Sequence, residues 1–229
     1  MKTILAWHWS DGLKCQYDGR PIVPGQTLVY EGVEPIKLCK RGLHASTRIL
    51  DALKFAPGTT VSRVRLSGEI IRGDDKLVAT KRTCLWSFDA KYILISWAAD
   101  CVERALLRER KDRIEPGFLR RFAAIKAARR FVKDPSEENR RAAGYFSDEV
   151  STDETYVYIH ATRAAGVVAE TTSALLFPTD HRAGAAYFTA RAVTAQLEAY
   201  RKERMWQSAR LRNLIARGRQ EKAHEPKTD

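Results

Sequence analysis

The stretch Leu77-Val78-Ala79-Thr80-Lys81-Arg82-Thr83-Cys84-Leu85-Trp86, followed after Ser87–Ala90 by Lys91-Tyr92-Ile93-Leu94-Ile95-Ser96-Trp97-Ala98-Ala99, decides the fold class. Its first part, bounded upstream by the turn signal Gly73-Asp74-Asp75, reads as the last strand of a β-rich segment. Its second part opens a helix over Tyr92–Glu109. There Leu94, Trp97, Ala98, Cys101, Val102 and Leu106 recur at the spacing of one broad helical face. The chain is therefore expected to be α+β, with a β-rich N-terminal part over residues 1–90 packed with a mostly helical part over 91–217, and a polar tail over 218–229.

Upstream of this break the text is strands and turns. Thr3–Trp9, Gln26–Tyr30 and Ile36–Cys39 read as strands, and Val61, Val64 and Leu66 alternate imperfectly with Arg63, Arg65 and Ser67, as a half-buried strand would. One short helix is expected over Thr47–Phe55, with Ser46 or Thr47 as N-cap and Pro57-Gly58 as the stop. Downstream, Pro and Gly become sparse. Glu115-Pro116 opens a helix, and Asp134-Pro135-Ser136-Glu137 opens another with Asp134 as cap. Thr155–Phe177 reads as an apolar helix, and Thr179-Asp180 starts a long one to about Arg217. No Gly/Ser-rich or Pro-rich spacer lies near residue 90, so a single unit is expected. Val193, Leu197, Tyr200, Met205, Leu211 and Leu214 fall roughly in line on the final helix, which either completes the core or pairs with a second copy as a homodimer.

No apolar run approaches the roughly 20 residues a membrane helix needs, and the N-terminus lacks the apolar core and cleavage site of a secretory signal. The expected location is cytoplasmic. Cys15, Cys39, Cys84 and Cys101 form no C-x-x-C pair and the five histidines are scattered, so no metal site is expected and the thiols read as reduced. Phosphate-cradling, dinucleotide-binding, zinc-protease and nucleophile-elbow motifs do not occur.

Charge is the strongest compositional signal. Forty Lys and Arg against 28 Asp and Glu give a net +12. Two segments are densest. Arg108, Arg110, Lys111, Arg113, Arg120, Arg121, Lys126, Arg129 and Arg130 crowd one; Arg204, Arg210 and Arg212, interleaved with Trp206, belong to the other. Gathered on one face they would hold phosphates or an acidic protein surface; spread out, they are only a solvated exterior. In the N-terminal part, Lys40-Arg41-Gly42-Leu43-His44-Ala45-Ser46 reads as a strand-to-helix junction. Tyr30, Arg41, His44 and Ser46 are its expected anion or ligand pocket, because helix N–H groups attract anions. The alternative is structural: Gly42 serves a turn, His44 is a satisfied histidine, and Ser46 caps the helix.

The same run, with Asp51-Ala52-Leu53, Gly68-Glu69-Ile70 and Asp75–Thr80, resembles an uncharacterised phage and prophage family that carries Gly-(Leu/Phe)-His-Ala, Asp-Ala-Leu and Gly-Glu-Ile motifs. The resemblance covers roughly residues 20–90 and implies a phage-related origin, hence a bacterial host cell. A weaker one, at Tyr30, His44 and Ser46, is to ADP-ribosyltransferase folds, and it implies NAD as cofactor. Those enzymes also need a Gln/Glu-x-Glu pair on a strand, whereas Gln196-Leu197-Glu198 lies in helical sequence. The expectation is a non-enzymatic, cofactor-free accessory protein. Its partner would be nucleic acid or an acidic host protein complex, with inhibition of host defence or transcription as a role; the NAD-dependent transferase is the competing reading.

Overall fold

In the computed structural model the described residues are 3–15, 19–109, 116–143 and 197–224. The fold is α+β. Five strands form one antiparallel sheet: β1 (Ile4–Ser10), β2 (Thr27–Val29), β3 (Leu43–Ala45), β4 (Thr60–Arg72) and β5 (Leu77–Asp89). The helices are α1 (Ile49–Leu53), α2 (Lys91–Glu109), α3 (Pro116–Lys133) and α4 (Leu197–His224), with a further helical stretch at 137–143.

The long β4–β5 hairpin is the spine. β1 lies along β4, while β3 and β2 share the opposite edge of β5, β3 beside Leu77–Ala79 and β2 beside Lys81–Thr83. The two sides meet. Just past β3, Ser46 exchanges both backbone hydrogen bonds with Trp7 of β1, at 2.7 and 2.9 Å. The path β1-β4-β5-β3 thus closes on itself, which satisfies edge groups that an open sheet would expose. Small side chains permit the tight closure: Ala6, Ala45 and Ala79 pack with Val64, Leu66 and Leu77 in one cluster. β4 reaches its full length through two register irregularities. Gly68 lies in the second with a φ of 77°, where a Cβ would strike the Thr80 hydroxyl.

Several expectations are corrected. Ile36–Cys39 is a turn, not a strand, because Lys37 and Arg41 bond each other's backbones and Cys39 takes a left-handed φ of 62°. The strand is Leu43–Ala45, so His44 belongs to the strand side of the strand-to-helix junction, with α1 following at Ile49. Neither Ser46 nor Thr47 caps α1: Arg48 occupies the N-cap position without a side-chain cap bond, and Ser46 is committed to Trp7. In the stretch 137–143 the cap is Ser136, whose Oγ accepts from the Asn139 N–H, while Asp134 accepts from the Ser136 N–H. Helix α4 continues to His224, past the expected end near Arg217. The helix read at Thr155–Phe177 lies outside the described residues.

The missing spacer near residue 90 predicts one unit, yet the chain divides into two: Met1–Ala90 with Arg219–Asp229, and Lys91–Gly218. A sheet that closes within the N-terminal part completes its own core. The second unit has its own core, in which Ile95, Ala128, Phe131 and Ala143 cluster, and the Trp97 indole donates to the Gln207 carbonyl at 3.0 Å. Among the described residues no helix is long and apolar enough to cross a membrane.

Candidate functional site

Strand alternation selects the side chains that enter the sheet's core face. On β1, His8 follows Ala6 by two residues and therefore shares its face. On β5, Arg82 pairs with Leu66 and Cys84 with Val64, so both lie on the side of the Ala6–Val64–Leu66 cluster. A buried guanidinium results: Arg82 is 5% exposed. It donates from Nη1 to the His44 carbonyl at 2.7 Å and from Nη2 to Cys15 Sγ at 3.2 Å. Beside it opens a cavity of about 160 Å³ whose lining includes His8, Trp9, His44, Ser46, Lys76 and Arg82. That lining has two fixed cations and no carboxylate.

Both histidines are held neutral. His8 has a pKa well below the usual histidine value, first through burial and then through the nearby charges of Arg82 and His44. Burial likewise lowers His44, opposed by a backbone hydrogen bond with Gly42 and reinforced by Lys76 and Arg82. The Cys39 backbone N–H donates to His44 Nε2 at 3.0 Å, so the left-handed turn at Cys39 fixes which ring nitrogen is the acceptor. Two other lining residues carry buried polar atoms without a hydrogen-bond partner: His8 at Nδ1 and Trp9 at Nε1. The chemistry on offer is donation and positive potential. Cys84 is no nucleophile here, since burial pushes its thiol up and keeps it protonated.

Of the four residues expected to form a pocket, the structure brings together His44 and Ser46. Tyr30 instead packs its ring over Gly32, and Arg41 pairs with Glu34; neither lines the cavity. The expected anion site at the helix N-terminus is not formed, because the first turn of α1 holds a carboxylate of its own, Asp51, paired with Arg48. His8, Trp9, Lys76 and Arg82 were not singled out by sequence reading. The signal for His8 was present, as a polar residue at the core-facing parity of β1.

Of the cations expected on basic faces, two are engaged with acids. Arg129 bonds Glu103 at 2.6 and 3.0 Å and Asp100 at 2.9 Å, and Arg210 bonds the same Asp100 at 2.7 Å. These two cations tie helices together and are not offered to a partner. Arg212 donates to Ser208 within its own helix, Arg204 is half-buried, and Lys126 and Arg130 are exposed. Arg110, Lys111 and Arg113 lie outside the described residues, as do the side chains of Arg108, Arg120 and Arg121. Leu197 and Glu198 are helical, unlike the strand-borne acid that a transferase needs.

Residues 9–96 match the model of a domain of unknown function, DUF7666. Residues 91–220, more than half of the chain, match that of a family of unknown function, DUF6931. The chain belongs to the DUF6931 family. No curated protein matches it, and no solved structure does.

Proposed function

We propose that the protein is a non-catalytic binding module for an acidic partner, and that the sheet's cavity holds one anionic group of that partner, a phosphate or a carboxylate. One observation carries the reading. The cavity is lined by Lys76 and Arg82 with no carboxylate. An anion is the group that meets the positive potential of that lining. The cavity of about 160 Å³ is smaller than the ~300 Å³ and more typical of drug-sized ligands. It suits a terminal or side-chain group, with the rest of the partner outside. Phage-related origin, and nucleic acid or a host complex as the bearer of that group, belong to the same proposal.

The test is a titration of the full chain with inorganic phosphate, acetate and NAD, read by tryptophan fluorescence, because Trp7 and Trp9 line the cavity. Phosphate or acetate is expected to give a saturable change that weakens about fivefold in Lys76→Gln, the loss of roughly 1 kcal/mol from a half-exposed charge-assisted bond. No response to any anion would falsify the reading. A response to NAD alone, abolished in His44→Ala, would replace it with the transferase.

A further inference from the structure

The face of the sheet opposite the Ala6–Val64–Leu66 cluster is built differently. Trp7 pairs with Arg63, which pairs with Trp86, and the three side chains meet across the strands. The Arg63 guanidinium lies 4.6 Å from the Trp7 ring centroid. Trp7 and Trp86 stand edge to face at 5.8 Å, and Trp86 stacks on Phe88 at 5.8 Å. By alternation Arg65 and Ser67 continue this face along β4, and their partners Thr83 and Lys81 continue it along β5. The 2.7 Å contact between the hydroxyls of Thr27 and Thr83 extends it onto β2. From the far end of the sequence, α4 lays Arg219 over Trp86 at 5.1 Å and Lys222 over Phe88 at 5.6 Å.

We infer that this face, with Trp86 and Phe88 set among Arg63, Arg65, Lys81, Arg219 and Lys222, binds single-stranded nucleic acid. The proposal is independent of the cavity. Trp86 and Phe88 are half-buried, while Arg65 and Lys81 are exposed. The paired strand positions of this face carry arginine, lysine, threonine, serine and apolar side chains. Aromatic rings on a sheet face, bordered by cations, are what unpaired bases and their phosphates require: rings and guanidinium planes stack bases of any sequence, and the cations neutralise the backbone. A duplex keeps its bases stacked internally and has no use for the rings. An acidic protein would use the cations but not the rings.

The experiment is anisotropy of a labelled oligo(dT) against the full chain across a salt series, with a duplex of equal length and poly-glutamate as competitors. Expected are binding to the single strand, weaker competition from the duplex and from poly-glutamate, and a log–log salt slope that falls by about 0.7 for each cation lost. Arg65→Gln with Lys81→Gln, both at exposed positions, should reduce that slope by about 1.4 with the fold intact by circular dichroism. Trp86→Leu should weaken binding about 5- to 150-fold, as the loss of one stacked base does. If it does not fold, the Arg65/Lys81 variant decides alone. The Arg65/Lys81 variant should keep the phosphate response of the cavity, so the two sites fail separately. Unaltered affinity and slope in the Arg65/Lys81 variant, or equal competition from poly-glutamate, would overturn the inference.

Discussion

His8 and His44 show how burial sets chemistry at the level of single residues. Both have folded-state pKa values below the usual 6.5, with desolvation as the largest cause. The folded protein binds these protons less readily than the unfolded chain does. The stabilisation is therefore fully present above pH 6.5 and is lost as pH falls below it, toward the depressed folded values. Equilibrium denaturation of the full chain between pH 7.5 and 5 should show this decline, at up to about 1.4 kcal/mol per pH unit for each histidine. His8→Gln should flatten the curve; an unchanged profile would count against a buried neutral His8. Gly42 is a second decisive residue. At a φ of 107° its Cβ would lie 2.5 Å from Val78 and 2.9 Å from Ile36. Gly42→Ala should cost about 2–4 kcal/mol by combining strain with overpacking, measurable as a shifted denaturation midpoint. The glycine was legible as a turn. Its closeness to Val78 was not, because that depends on β3 pairing with β5.

Among elements, the helices α2, α3 and α4 are joined by a shared ion network in which Asp100 serves both Arg129 and Arg210. Glu103 is held below the usual carboxylate range, chiefly by its hydrogen bond from Arg129. Its contribution is thus present above pH 4.5 and lost as pH falls below that value. Asp100→Asn should lower stability by roughly 1 kcal/mol, with a double-mutant cycle against Arg129→Met recovering the coupling. Strand and helix type were readable because alternation and helical spacing are local properties: β1, β4, β5, α2 and α3 lie close to where the pattern places them. The failures have a common cause. Ile36–Cys39 is apolar and extended by composition, but the Lys37–Arg41 bridge folds it into a turn. Arg129 and Arg210 looked like partner-binding cations because sequence carries no record of acids on other helices that reach them.

At the scale of the whole molecule, the last residues of α4 return to the sheet formed by the first ninety. Deleting 219–229 removes the cations over Trp86 and Phe88. The expected result is altered Trp86 emission and a melting temperature for the sheet unit lower by roughly 5 °C. Identical melting with and without the segment would show that these contacts contribute nothing to stability. The net charge of +12 belongs to this scale too. It established a positive molecule but not the location of its useful charge, which depends on which cations fold against acids and which fold against rings.

By itself the sequence determined the α+β division, the long hairpin around Gly73–Asp75, and the helical character beyond residue 91, all from patterns a few residues wide. Tertiary structure alone decided the closure of the sheet through Trp7 and Ser46, the burial of Arg82 beside the cavity, and the meeting of Trp86 with Arg219. Each of those joins positions tens of residues or more apart. Their partners are chosen by register and by the packing of whole elements, and local periodicity records neither.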